Sequence, residues 1–437
     1  VDRATRARYT HQVIDHAALL RPLVKASFEV EPESASSTVA RAIAIAMTEP
    51  RGPVHLDLSP ATAAATVPAQ AAVQPPVVLT PSVTETDPAV RRIAERIGQA
   101  KRPLIIAGFE AARDGAGDAL LQLAEAINAP VVTTYKAKGV IPEDHPLSLG
   151  AAGLSPLADR ILFDLASQAD LLLLIGYDPI EMRLGWLDFV DDPWKLIEVG
   201  RSPPDHGMHH AAIQVTASTK AFLDGLNNAV RRRGAWTNDE PTRAKVDLFR
   251  LFSPQALWGP HTIVHLLNSA AGPDAIVTVD SGAHGILLSQ KWKARNPLTL
   301  LQSAGFCTMN AALPLAIGAQ TADRSRRVFA VMGDGGLEMG IGELATVRDL
   351  ALPLTIVVFQ DRSLALIEIK QAAAGLATAG VTLGETDFAA VARGFGGHGV
   401  NVENSNDLRS ALEAAALRDA FTLIACRFDV AGYDGAF

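Results

Sequence analysis

Asp334 stands between two glycines in Val331-Met-Gly-Asp-Gly-Gly-Leu-Glu338, directly after a branched apolar run and before a helix-like stretch. An acidic loop at the end of a parallel strand is where an open α/β sheet carries its chemistry. One strand further on, Thr355-Ile-Val-Val-Phe359 delivers Asp361 at its own end. The two carboxylates can meet on one hard cation, with the backbone carbonyl of Ser363 as a third donor, and Mg2+ takes such oxygen ligands octahedrally. Gly333 and Gly335 let backbone N–H groups come close to an anion. A helix starting near Gly336 would aim its amino end at the same place, which suits a phosphate or diphosphate. The plainer reading is that Gly-Asp-Gly makes an ordinary tight turn.

Two further segments bring polar groups to the ends of expected elements. Asp280-Ser-Gly-Ala-His284 closes a strand with a glycine-bearing loop, where His284 would bind diphosphate or substrate, or else be a surface-loop histidine. Gly305-Phe-Cys-Thr-Met-Asn310 precedes an apolar helix. Met309 there is either a core filler or a thioether that supports a folded organic cofactor.

The elements that position these residues follow from the apolar pattern. Residues 39–47 read as a helix stopped by Thr48-Glu-Pro-Arg-Gly52, and 53–58 as a strand. From 59 to about 81 the composition turns to Ala, Pro, Thr and Val, an extended linker. A second unit has helices at 89–97 and 117–127 and strands at 103–108, 130–134, 169–176 and 194–199. No GxGxxG fingerprint follows any of these strands, so this unit is read as structural, or as touching a cofactor only at its edge. Residues 234–252 are polar and interrupted by Pro241, a second linker. The third unit has helices at 262–271, 311–321, 338–350 and from about Asp387, with strands at 275–280, 328–332, 354–359 and 421–427. Continuous apolar strands separated by helices predict a multidomain α/β protein with doubly wound parallel sheets.

Bulk composition narrows the function classes. A chain of 437 residues calls for two or three cores, and 48% hydrophobic with 20% charged residues is a globular composition. The net charge of -8 disfavours nucleic-acid binding, and the compact basic groups at Arg231–Arg233 and Arg324–Arg327 read as solvated helix ends or loops. The two cysteines, Cys307 and Cys426, fit a reduced compartment. No apolar stretch is long enough to cross a bilayer and no signal peptide is read at Val1, so the expected location is cytoplasmic.

Taken together, these motifs resemble the thiamine-diphosphate-dependent enzymes of the acetolactate synthase type. The resemblance rests on Gly333-Asp334-Gly335 with Asp361, on Gly342-Glu-Leu-Ala-Thr346 and on Leu366-Ile-Glu-Ile-Lys-Gln371. It rests also on Thr133-Thr134 followed by Lys138-Gly139, and on Gly176-Tyr-Asp-Pro-Ile-Glu181. It implies the thiamine-diphosphate-binding fold, with residues 1–72 as the end of a pyrimidine-binding domain, 82–225 as the central domain and 250–437 as the diphosphate-binding domain. Gln12, Asp15, Lys25 and Gly52-Pro-Val-His-Leu-Asp-Leu58 would close the first.

By the same resemblance, Asp334, Asp361 and Ser363 would hold Mg2+. Asp280, Gly282, His284, Gly333, Gly335, Gly336, Ser363 and Leu364 would surround the cofactor, Met309 would wedge it into a bent form, and the Cys307 carbonyl would receive the aminopyrimidine. Family members often have Asn where Asp361 stands and Gly where Asn310 stands. Some hold FAD in the central domain.

The implied function is decarboxylation of a 2-oxo acid, pyruvate favoured, and its condensation with a second carbonyl compound, in a homodimer or homotetramer with the site between subunits. Alternatives are another decarboxylase or lyase of the family, and a non-catalytic cofactor-binding or interaction protein. The glutamate that activates the cofactor is expected before the Gln12 segment, in a part of the domain that this chain lacks. Glu31 and Glu33 come too late for that role and read as a surface cap, so no residue for cofactor activation is assigned.

Overall fold

The computed structural model describes residues 3–11, 13–67, 83–204, 206–253 and 257–436. Gln12 and most of the expected 59–81 linker lie outside the described residues. The chain divides into two compact units, Val1–Ser82 and Val83–Phe437.

In the first unit, strands Ala26–Glu29 and Val54–Asp57 pair in parallel and helix Ala35–Met47 connects them. The helix begins four residues before the 39–47 reading, because the 3-10 turn Pro32–Ser34 runs straight into it. Lys25 ties its carboxyl end, donating from Nζ to the carbonyls of Ile45, Thr48 and Pro50 at 2.7, 2.6 and 3.0 Å. A cation is favoured there by the unpaired carbonyls of the last turn. Asp15 caps helix His16–Leu20 by accepting from the Ala18 N–H at 2.8 Å. The linker reading needs a correction at its start. Ser59 accepts from the Thr62 N–H and starts a short helix, Pro60–Ala64, with Pro60 in the first turn where a proline's missing N–H costs nothing.

The second unit contains two six-stranded sheets, all parallel. The first runs in spatial order Ser148–Ala152, Val131–Thr134, Pro103–Ala107, Leu171–Ile175, Leu196–Gly200, Ile213–Thr216. Its central strands are buried from end to end, as a sheet covered by helices on both faces requires. The second runs Leu300–Gln302, Ile276–Val279, Val328–Gly333, Thr355–Gln360, Thr422–Arg427, His398–Val402. Apolar clusters on its two faces form separate cores around Val331 and Val357 and around Ala330 and Val358.

Two expectations are overturned here. The second linker is instead helix Glu240–Leu251, because Pro241 falls in the first turn and so starts the helix, and Ala244 and Leu248 pack against the first sheet's core. The expected helix 338–350 is two short ones, Asp334–Met339 and Glu343–Asp349, divided at Gly340. Among the described residues no helix is long and apolar enough to cross a membrane.

Candidate active site

Register places the two aspartates side by side. Val328–Gly333 and Thr355–Gln360 are neighbours with Gly333 opposite Phe359, so Asp334 and Asp361 leave the same edge of adjacent strands. On the other flank Val331 pairs with Val279, which brings Asp280 to that edge as well. Three carboxylates thus come from three neighbouring strand ends.

Each of them is held by backbone N–H groups. Asp334 accepts from Gly335 at 2.8 Å and from Arg362 at 2.7 Å, and Arg362 adopts a left-handed φ of 60°. Asp361 accepts from Ser363 at 2.8 Å. Burial, and then Asp334 beside it, push the Asp361 carboxyl up to about 8. Burial also raises Asp334, against the pull of its two N–H donors. Two carboxylates that oppose each other's ionisation are the electrostatic signature of a place meant for a cation. Among the described residues no group of three or more His, Cys, Asp or Glu gathers around a metal position, so backbone or cofactor oxygens must complete an octahedron.

His284 is neither exposed nor on a loop. It is buried in the first turn of helix Ala283–Lys291, with Nε2 2.7 Å from Asp280 Oδ1. With Nε2–H given to Asp280, its Nδ1 faces Gly282, free to accept, or to donate to an anion when the ring is protonated. Asp280 Oδ2 also accepts from the Asn310 N–H at 2.7 Å, and Asn310 has a left-handed φ of 64°, the conformation that suits a glycine. A side chain at Gly336 would overlap that same carboxylate.

These elements enclose a cavity of about 140 Å3 lined by Gly282, His284, Met309, Gly333, Asp334, Gly335, Gly336, Asp361, Ser363 and Leu364. Met309 is half-buried and turns its methyl toward Gly335, with Leu364 and Leu383 at the same contact, so it is no filler of either core. Asp280 and Cys307 line an adjoining cavity of about 130 Å3, which Tyr135 and Leu154 of the first sheet's connections close. The Cys307 carbonyl already accepts from the Ser281 hydroxyl, and its second lone pair remains for another donor.

Three contributors were missed by sequence reasoning. Ser281 reaches Cys307, Glu368 accepts from the Ser363 hydroxyl, and the Arg362 N–H holds Asp334. Ser281 and Glu368 had a local signal, since they lie within the Asp280–His284 and Leu366–Gln371 motifs, whereas Arg362 had none. Glu31 and Glu33 are exposed, as a surface cap should be.

Among the described residues, the strand ends of the first sheet are arranged differently. Its strand order reverses between Pro103–Ala107 and Leu171–Ile175, the position where a dinucleotide would lie. Gly108 and Gly176 pack against each other there, so tightly that a side chain at Gly108 would overlap the Gly176 carbonyl. Glu110 accepts from the Arg201 N–H at 2.7 Å, and Asp114 takes the Thr219 N–H and hydroxyl at 2.9 Å each. Carboxylates thus take up backbone donors of the kind that a diphosphate would use.

Two doubly wound parallel sheets, one with a cavity of glycines and paired carboxylates at its carboxyl edge, define a cofactor-binding α/β protein. Residues 280–426 match the thiamine pyrophosphate enzyme C-terminal TPP-binding domain, and residues 90–226 match the thiamine pyrophosphate enzyme central domain. The chain belongs to the thiamine pyrophosphate enzymes, and thiamine diphosphate is their cofactor. It is 28% identical over 425 residues to a probable acetolactate synthase large subunit of Methanocaldococcus jannaschii, covering 93% of this chain and 72% of that protein. It is 29% identical over 433 residues to the acetolactate synthase isozyme 1 large subunit of Escherichia coli, covering 96% and 75%. It is also 27% identical over 428 residues to a probable 2-ketoarginine decarboxylase of Pseudomonas aeruginosa, covering 95% and 74%.

Proposed function

We propose that this protein is an acetolactate synthase-like enzyme that decarboxylates a 2-oxo acid, with pyruvate as the favoured donor, and joins the remaining fragment to a second carbonyl compound. The observation that carries the reading is the Asp334 and Asp361 pair lining a glycine-rich cavity, both raised first by burial and Asp361 further by Asp334 beside it. When bound, the thiazolium ring of thiamine diphosphate supplies the nucleophilic carbon and the electron sink that decarboxylation needs. Asp334, Asp361 and the Ser363 carbonyl would hold Mg2+ against the diphosphate. His284, oriented by Asp280, would meet the diphosphate through Nδ1. Met309 and Leu364 would support the bent cofactor, and the Cys307 carbonyl would take the aminopyrimidine N–H beside Ser281.

In this reading residues 1–72, 82–225 and 250–437 are the pyrimidine-side, central and diphosphate domains of a cytoplasmic homodimer or homotetramer with its site between copies. A second reading is a decarboxylase for a longer 2-oxo acid, favoured by the likeness to the 2-ketoarginine decarboxylase.

Calorimetry of Mg-thiamine diphosphate binding, with assays of pyruvate and 2-ketoarginine consumption, tests both. Asp334→Ala is expected to lose metal-dependent cofactor binding, and unchanged affinity in that variant would remove the metal site from the proposal. Release of acetolactate from pyruvate supports the first reading. Consumption of 2-ketoarginine alone supports the second, and binding without turnover of either leaves a non-catalytic cofactor-binding protein.

A further inference from the structure

A separate cavity of about 280 Å3 lies between the two sheets of the Val83–Phe437 unit, and it shares no lining residue with the cavity of Asp334 and Asp361. Strand Ser148–Ala152 and helix Glu240–Leu251 form one side, and helices Pro260–Ala271 and Ala283–Lys291 form the other.

Its charge is unbalanced. Lys245, Lys291 and Lys293 line it, against the single carboxylate of Glu143. That carboxylate is committed elsewhere, to Lys138 Nζ at 2.6 Å and to the Ala294 N–H at 3.1 Å. Lys291 is spent as well, donating to the carbonyls of Phe252 and Ser253 at 2.9 Å each. Lys245 gives one hydrogen to the His145 carbonyl and keeps two, and Lys293 stands over the Phe249 ring with Nζ 5.6 Å from its centre. Burial first, and the neighbouring ammonium of Lys293 second, hold the Lys245 pKa below its ordinary value, against the weaker pull of Asp144 and Glu143.

An independent observation points the same way. Ser148 Oγ and Gln290 Nε2 are both buried on this cavity and have no hydrogen-bond partner among the described residues, with Ser148 only 1% exposed. Buried polar atoms are ordinarily satisfied, and two unsatisfied ones on one cavity ask for a ligand that accepts hydrogen bonds. Leu248 and Phe249 give the same cavity an apolar wall.

We propose that this cavity binds a small organic anion, with a phosphate or carboxylate head between Lys245, Lys293, Ser148 and Gln290 and a short apolar body against Leu248 and Phe249. The head takes up the hydrogen bonds that Ser148 and Gln290 leave unmade and neutralises the facing ammonium groups. The apolar wall selects such an anion over bare phosphate.

Calorimetric titration of the full 437-residue chain, in a buffer free of phosphate and carboxylate, tests the site with inorganic phosphate, benzoate and phenyl phosphate. Benzoate or phenyl phosphate is expected to bind saturably, one per chain and more tightly than inorganic phosphate, with saturating Mg-thiamine diphosphate present. The tighter of the two identifies the head. Lys245→Ala and Lys293→Ala are each expected to weaken binding by roughly tenfold, the loss of one charge-assisted hydrogen bond. Ser148→Ala removes only one oxygen and keeps the test open if a lysine variant does not fold; it is expected to weaken binding a few-fold. Absence of saturable binding by all three probes, displacement by Mg-thiamine diphosphate, or affinity unchanged in the folded variants would overturn the proposal.

Discussion

Asp361 brings a second negative charge to a place where Asp334 already carries one, and the consequences run in opposite directions with and without a cation. Burial and Asp334 raise the Asp361 carboxyl to about 8 in the fold. An acid raised above its unfolded value loses stability as pH climbs from the ordinary carboxyl range through the folded value. The metal-free chain should therefore be less stable near pH 9 than near pH 6. Binding of Mg2+ needs both groups ionised and releases a proton, so its affinity should rise across the same window. Asp361→Asn is expected to raise the metal-free melting temperature near pH 9 by roughly 2–4 °C, the shift of about 1 kcal/mol in a domain of this size, and to flatten the pH dependence of Mg2+ affinity. Thermal melts in chelator and Mg2+ titrations at the two pH values check this, and an unchanged slope would remove Asp361 from the metal set. Gly336→Ala sets a methyl against the Asp280 carboxylate, for an expected loss of about 1–3 kcal/mol and of cofactor binding. Asp334, Asp361, Gly335 and Met309 were legible because each sits in a short motif at a strand or helix end. Asp280 as the common partner of His284 and Asn310 was not, since that depends on a contact across 30 positions of chain.

At the scale of elements, legibility followed apolar continuity. Helix Gly117–Ile127 coincides with its reading and strand Leu171–Ile175 falls inside the 169–176 reading, because every strand residue is buried and the helix repeats its apolar face. The outer strands Ser148–Ala152, Ile213–Thr216, Leu300–Gln302 and His398–Val402 were missed. They are short or carry Gly, Gln, His or Asn, and they lie at sheet edges, where a strand pairs on one side only. Pro241 was misread because a proline in the first turn and one in the middle of a helix look alike until the helix start is known. The loop after Leu171–Ile175 carries a testable case. Glu181 is 2% exposed, accepts from the Thr134 hydroxyl and the Phe109 N–H, and is pushed up to about 7, chiefly by burial. Its folded value exceeds its unfolded one, so ionisation works against the fold. Stability should decline as pH rises from about 4.5 to 7 and then level, by up to about 3 kcal/mol from this group. Glu181→Gln keeps the hydrogen-bonding shape without the charge and is expected to remove that decline. Denaturant melts across this range measure it, and an identical decline in the variant would assign the effect elsewhere.

For the molecule as a whole, the apolar side chains left in solvent around the carboxylate cavity matter most. Phe306 is 84% exposed on the loop that leads to Met309, Met339 is 67% exposed at the end of helix Asp334–Met339, and Ile367 is 48% exposed on the cavity lining. Large apolar groups gathered around one site are what a surface covered by another polypeptide, a membrane or a ligand would present. A second copy seated there would dry the cavity and strengthen each electrostatic contact inside it. If the proposed site lies between copies, assembly and cofactor binding are linked, and each must strengthen the other by the same factor. Dilution of the chain should then weaken its affinity for Mg-thiamine diphosphate over the concentration range in which sedimentation velocity shows the assembly dissociating. Phe306→Ser should shift both transitions to higher protein concentration together while leaving the fold of the monomer intact, because that side chain supports neither core. Cofactor affinity independent of protein concentration, or a Phe306→Ser variant that assembles as the parent does, would place the working site within a single chain.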